Sequence, residues 1–243
     1  MKWTILGTSG GFPAPGGATS GYLLRFQEKN ILIDCGSGVL SNLFRFIPVE
    51  QLDAVILTHL HHDHISDIQV LRYAIDLSRR FDKPVKQIPV FAPATPELLA
   101  ATLQSDSNLI VGTISHGTEL NMFGATVRFL AMDHPVETYG VAIELAGRKI
   151  VYTGDSIPCA NLDELLRDAD LAIMDAGSLE RFRKPVMMHM TAAECASIAA
   201  KAGVKKLVLS HLLPLFDEQE ILQEARTNFP DAVLAKIGDT YTI

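Results

Sequence analysis

Cysteine is scarce in this chain. Its three residues, Cys35, Cys159 and Cys195, are scattered and form no CxxC pair. An odd, dispersed set argues against a disulfide framework. Positive charge is also short: 21 Lys and Arg face 28 Asp and Glu, a net charge of −7. Such a protein is not primed for non-specific nucleic-acid binding. Two small basic clusters exist, Arg79, Arg80, Lys83 and Lys86, then Arg181, Arg183 and Lys184. Both read as solvated surface. Long apolar runs are missing, and no window approaches the roughly 18 unbroken apolar residues of a membrane span. The opening Met1-Lys2-Trp3-Thr4-Ile5-Leu6-Gly7 is too short in its apolar part for a secretory signal. It reads as a first strand, and a cytoplasmic location is the default expectation.

What is present is a dense cluster of ligand-type residues. Thr58-His59-Leu60-His61-His62-Asp63-His64 packs four histidines and an aspartate directly after the apolar run Ala54-Val55-Ile56-Leu57. A buried strand therefore ends in a loop of imidazoles and a carboxylate, the natural ligands of zinc and similar divalent ions. The length, 243 residues with 48% apolar and 20% charged, suits one large α/β domain or two small ones.

Around that stretch the pattern is strand-rich first, then alternating. Lys2 to Leu6 is a strand, followed by the loop Gly7-Thr8-Ser9-Gly10-Gly11-Phe12-Pro13-Ala14-Pro15-Gly16-Gly17, which Gly and Pro keep out of helix. That loop could cradle a phosphate or simply connect. Ser20 to Phe26 and Asn30 to Asp34 predict a hairpin, and Val39 to Ile47 a helix stopped by Pro48. Ser66 to Leu77 reads as helix, Ser78 to Gln87 as a polar excursion, Pro89 to Ala92 as strand and Pro96 to Leu103 as helix. Gly117 to Leu120 and Ala125 to Ala131 look like paired strands; Tyr139 to Leu145 and Arg148 to Thr153 form a second hairpin. Helix Leu162 to Arg167, strand Leu171 to Asp175, helix Thr191 to Ala202, strand Lys206 to Ser210 and helix Glu218 to Asn228 follow, with short strands near Val233 and Tyr241. No internal repeat or clear linker divides the chain. Strands without strict alternation point to α/β sheets covered by helices.

Several strands end in a potential ligand: His59, His134, Asp155 and His211. Together with His61, Asp63 and His64 they make seven. One four-coordinate zinc needs three or four protein ligands, so seven suit two ions with one bridging carboxylate. Two ions about 3.5–4 Å apart favour hydrolysis through a bridging hydroxide.

The order His59-x-His61-x-Asp63-His64, then His134, Asp155 and His211, resembles the metallo-β-lactamase superfamily along nearly the whole chain. The resemblance implies a single domain, residues 1–243, folded as a four-layer αβ/βα sandwich. It implies two divalent ions, zinc foremost and manganese second: His59, His61 and His134 on one, Asp63, His64 and His211 on the other, and Asp155 bridging. A bridging Asp is typical of members acting on phosphodiesters and thioesters. Leu6-Gly7-Thr8-Ser9-Gly10-Gly11-Phe12-Pro13 and His189-Met190-Thr191 are similar to ribonuclease Z, where a histidine backed by an acidic residue helps protonate the leaving oxygen. By that resemblance His189 is catalytic, with Asp175 as its partner and Glu180 as the second candidate, and relatives of this kind are commonly dimers. Asp63 and Asp155 would orient the attacking water.

The departures bear on substrate. No long, basic, Gly/Pro-rich segment matches the arm with which ribonuclease Z grips tRNA. Ala14-Pro15-Gly16-Gly17-Ala18 stands where that family carries basic residues, and His62 where glycine is common. The expected function is therefore a phosphodiesterase for a small or cyclic phosphodiester or nucleotide. A ribonuclease Z-like tRNA 3′-processing enzyme is the alternative, and a thioester hydrolase of the glyoxalase type the second alternative. RNA is a disfavoured partner and a membrane is not expected to be one. His116 reads as a surface residue.

Overall fold

The computed structural model describes residues 1–243, and the chain divides into two compact units. The first comprises residues 1–114 and 236–242, the second residues 115–235 with the terminal Ile243. Each is built on one seven-stranded mixed sheet.

In the first unit the strands are β1 (Lys2–Gly7), β2 (Gly21–Phe26), β3 (Lys29–Cys35), β4 (Ala54–Ile56), β5 (Ile88–Ala92), β6 (Leu109–Thr113) and β14 (Thr240–Thr242). They lie in the order β14-β1-β2-β3-β4-β5-β6. The first three pairings are antiparallel and the last three parallel. The hairpin β2–β3 is possible because Gln27 and Glu28 adopt positive φ, as a tight two-residue turn requires. The helices are α1 (Val39–Leu43), α2 (His62–Ile65), α3 (Ile68–Arg80) and α4 (Glu97–Gln104). Ile68, Leu71 and Ile75 of α3 recur at helical spacing and join Val39, Leu43, Ala100 and Leu103 over Leu23, Leu32, Val55 and Val90 of the sheet. Burying a Leu or Ile side chain contributes about 1.5–3 kcal/mol, so this apolar layer is what holds the helices down.

The second unit repeats the scheme with β7 (Glu119–Met122), β8 (Ala125–Ala131), β9 (Tyr139–Leu145), β10 (Arg148–Tyr152), β11 (Leu171–Asp175), β12 (Leu207–Ser210) and β13 (Val233–Leu234). The order is β13-β12-β11-β10-β9-β8-β7. It is antiparallel from β7 to β10 and parallel from β10 to β13. Helices α5 (Asn161–Leu166), α6 (Ala192–Lys201) and α7 (Glu218–Arg226) cover it through Leu162, Leu165, Cys195, Ala199, Ile221 and Ala225. Helix α6 begins with a complete capping box: the Thr191 hydroxyl accepts the Glu194 N–H and the Glu194 carboxylate accepts the Thr191 N–H.

Three local expectations change. The helix read over Val39 to Ile47 ends at Leu43, because residues 44 to 47 close in tight turns while Ile47 still reaches the core. Helix α3 runs on to Arg80, into what reads as a polar excursion. Its polar side is clamped: Arg72 pairs with Asp106, Asp76 accepts from Asn108 Nδ2 at 2.8 Å, and Arg79 donates to Asn108 Oδ1 at 2.5 Å. Strand β6 has no counterpart in the sequence reading. Five residues containing Gly112 give little period, and the strand is defined by its parallel pairing with β5.

Candidate metal centre

Each unit presents one cluster of donors at the ends of its strands. In the first, β3 and β4 run parallel with Ile33 opposite Ile56, so Asp34, the next residue of β3, comes beside the residues just past β4. Asp34 thereby meets the loop that starts the histidine motif. Its buried carboxylate accepts the Thr58 N–H at 2.8 Å and the Thr58 hydroxyl at 2.9 Å, and lies 2.7 Å from His64 Nδ1. The Asp34 backbone has φ 55°, a left-handed conformation that Asp and Asn tolerate better than other residues. His59 Nδ1 lies 3.2 Å from the same Thr58 hydroxyl. The hydroxyl hydrogen is committed to Asp34, so the imidazole is the donor. Both rings therefore spend Nδ1–H on the protein and present a basic Nε2.

The motif gathers around these rings. The His59 ring centre is 4.8 Å from that of His61 and 4.0 Å from that of His64. Asp63 Oδ2 is 3.6 Å from His64 Nε2 and accepts the Gly11 N–H at 2.8 Å. One amide of the opening glycine-rich loop thus positions Asp63. Gly36 is required beneath it: a Cβ there would lie 2.0 Å from the Asp63 carbonyl oxygen and 2.2 Å from Thr19 Oγ1.

In the second unit Asp155, just past β10, is the common neighbour. His211 Nε2 is 3.3 Å and His134 Nε2 3.9 Å from Asp155 Oδ2. His134 Nδ1 lies 3.1 Å from the Met188 carbonyl, so its N–H donates there and Nε2 carries the lone pair. His211 sits at φ 57°, with Nδ1 3.3 Å from Asp175 Oδ1. His189 Nδ1 is 2.9 Å from Asp175 Oδ2, and that carboxylate also accepts the Ser156 and Gly177 N–H groups. Ligand atoms of Asp155, Asp175, His189 and His211 all lie within 4.8 Å of one another.

The charges follow from these contacts. Burial by itself would raise the Asp175 pKa, but the facing His189 and His211 outweigh it and hold the carboxyl below its ordinary value. Burial likewise opposes charge on His189, yet Asp175, by charge and hydrogen bond, leaves its pKa raised. His189 is thus kept protonated to higher pH than a free imidazole.

The donor chemistry fits divalent ions. The imidazoles whose tautomer the contacts define expose Nε2, and the Asp34 carboxylate holds His64 Nδ1, the arrangement by which metal-ligating histidines are oriented. His59, His61, Asp63 and His64 are brought together in the first unit, and His134, Asp155, His211, His189 and Asp175 in the second. Asp175, not Glu180, partners His189; the Glu180 carboxylate is taken by Arg183. His62 is exposed. His116 is exposed and accepts the Ala131 N–H at 3.1 Å. Sequence reasoning missed Asp34 as a site residue. A signal existed, since Asp34 also ends a strand, next to the strand that carries the motif.

Comparison with known proteins decides the family. The β-lactamase superfamily domain matches residues 29–212. The chain belongs to this superfamily. Among its superfamily relatives, the probable metallo-hydrolase YhfI of Bacillus subtilis is 35% identical over 98% of both chains. The crystal structure of YhfI superposes with a TM-score of 0.92 over 99% of both chains, at 34% identity. Ribonuclease Z of Mycolicibacterium paratuberculosis is 32% identical, covering 88% of this chain and 86% of its own. The metallo-β-lactamase fold implied by the resemblance is thereby shown, and the superfamily member is a metallo-hydrolase of ribonuclease Z-like type. No helix is long and apolar enough to cross a membrane.

Proposed function

We propose that this metallo-hydrolase is a dinuclear phosphodiesterase acting on a small or cyclic phosphodiester or nucleotide. His59, His61 and His134 would hold one ion, Asp63, His64 and His211 the other, and Asp155 both. When bound, the ions would supply a water of lowered pKa and neutralise charge on the substrate oxygen. Asp63 and Asp155 would orient the attacking water through their carboxylates, and one of them would accept its proton. His189 donates a proton to the leaving oxygen, and Asp175 holds its ring and charge.

The observation that carries the reading is the Asp175–His189 pair beside Asp155 and His211. An alkoxide leaving from a phosphodiester is strongly basic and needs a proton. A thiolate, with a pKa of about 8.5, leaves without one. A thioester hydrolase would have little use for such a donor.

The second reading, tRNA 3′-end processing, draws on the similarity to ribonuclease Z. Against it stand the net charge of −7 and the fate of the second basic cluster. Arg181 is bidentate to Glu220, and Arg183 is tied to Glu180 and Glu194. Those guanidinium groups are already neutralised.

Turnover of bis(p-nitrophenyl) phosphate, a nucleoside 2′,3′-cyclic phosphate, a tRNA precursor with a 3′ trailer and S-lactoylglutathione, each with zinc or manganese, tests the reading. Diester hydrolysis well above the other two supports it. Preference for the precursor transfers the assignment to RNA processing, and preference for the thioester removes the phosphodiesterase.

A further inference from the structure

A cavity of about 540 Å³ opens beside the β2–β3 hairpin, at the end of β3 away from the donors. Asn30 lies near the start of that strand and Asp34 near its end, about 13 Å apart at 3.3 Å per residue. The walls are fastened. Asp53 accepts from the Lys29 ammonium at 2.9 Å and from the Asn30 N–H at 2.9 Å, and the Asn30 side-chain amide donates to the Gln51 carbonyl at 2.9 Å. Three other charged side chains line the cavity without being used by the protein. Arg25, Glu28 and Glu50 form no hydrogen bond or ion pair through their side chains. The Arg25 Nε is buried as well, and its guanidinium carbon lies 5.7 Å from the centre of the Phe46 ring. A buried N–H donor without an acceptor is rare in native structures and calls for an explanation.

The charge balance says what kind of ligand would meet it. Lys29 and Asp53 cancel each other. Arg25 then leaves one positive charge, and Glu28 and Glu50 leave two negative ones. A phosphate ion would meet the guanidinium but also both carboxylates. The complement is a molecule with one anionic and two cationic groups. We propose that this cavity binds a basic α-amino acid, of the lysine or arginine kind. Its α-carboxylate takes the Arg25 guanidinium, whose planar fork matches a carboxylate in two parallel hydrogen bonds. Its α-ammonium and its side-chain cation face Glu28 and Glu50, and its methylene stem lies on Phe46 and Ile47, which also line the cavity. None of these residues belongs to the donor clusters or to the His189–Asp175 pair, so the proposal stands apart from the proposed reaction.

Isothermal titration of the intact protein at about 0.15 M salt, where loose surface pairing is screened, tests it. L-Lysine or L-arginine is expected to saturate with a Kd of about 1 mM or tighter. L-Leucine, which lacks the second cation, and cadaverine, which lacks the carboxylate, should each bind at least roughly 10-fold more weakly. Arg25→Gln and Glu50→Gln should weaken L-lysine by a similar factor. So should Glu28→Gln, which sits on an exposed turn where folding is not at stake, and melting curves verify folding of all three. Failure of both basic amino acids to saturate below about 20 mM overturns the proposal. L-Leucine, cadaverine or inorganic phosphate binding as tightly as L-lysine overturns it too, as do folded variants that keep wild-type affinity.

Discussion

Asp34 offers the sharpest test of how the first cluster is organised. Its carboxylate serves two buried N–H donors, Thr58 N and His64 Nδ1, and the Thr58 hydroxyl. Asp34→Asn keeps the volume and tolerates the left-handed backbone, but an amide has one accepting oxygen. One of the two N–H donors then faces an NH₂ group, at about 1–3 kcal/mol for a buried donor left unsatisfied. For a chain of this size each kcal/mol lowers the melting temperature by about 2–4 °C. The same change releases the His64 ring from its tautomer and orientation, and loss of such an oriented partner costs about 10–100-fold in metal affinity. Asp34→Ala adds the strain of an alanine at φ 55°, about 1–2 kcal/mol, and leaves both donors unsatisfied. The expected series is wild type, then Asn, then Ala, in apo-protein melting by circular dichroism and in zinc affinity measured against a competing chelator. An Asp34→Asn protein with wild-type melting and wild-type zinc affinity would refute the reasoning. A loss in melting alone, with zinc affinity intact, would leave Asp34 a packing residue that does not orient His64.

Other perturbations separate the remaining roles. His189→Ala should lower kcat by about 10²–10⁴-fold on a diester with an alkoxide leaving group and far less on bis(p-nitrophenyl) phosphate, whose leaving group needs no proton; equal losses on both, or a drop in metal content, would sink the general-acid assignment. Gly36→Ala pushes a methyl into the Asp63 carbonyl oxygen, so metal analysis should find occupancy reduced while the other cluster stays folded; full occupancy would show that the backbone yields. Asp170, whose burial opposes its charge, is nonetheless held below the ordinary carboxyl pKa by Lys205, the Lys149 N–H and Arg148. With a lowered folded-state pKa, its contribution is fully present above the unfolded value near 3.9 and fades as pH falls through the folded one. Asp170→Asn should therefore cost about 1 kcal/mol in urea melts at pH 7, through the lost carboxylate charge and the one acceptor an amide lacks, a figure kept small because Arg148 and Lys205 are largely exposed, and the difference from wild type should shrink below pH 4. A cost that stays constant down to pH 2 would count against this account.

Much of the architecture was legible before any coordinates. Ala125 to Ala131 and Leu171 to Asp175 read correctly to the residue because period and apolar character coincide there. The helix read over Thr191 to Ala202 is observed as Ala192–Lys201 with those two residues as its caps. What failed did so for tertiary reasons: β6 exists through pairing with β5, and the end of α3 through a clamp to Asp106 and Asn108, 29 to 34 residues away.

The site divides the same way. The sequence alone determined the superfamily and named a candidate donor set, because His59-x-His61-x-Asp63-His64 and the later His134, Asp155 and His211 carry metal chemistry in their residue types and order. Tertiary structure alone decided which carboxylate serves which imidazole. Asp34 is 30 residues from His64, and Asp175 rather than the nearer Glu180 reaches His189. It also decided that Arg181 and Arg183 are spent on glutamates while Arg25 is left without one. Ligand identity is a property of the side chain. Orientation, protonation and exposure are properties of what the fold sets beside it.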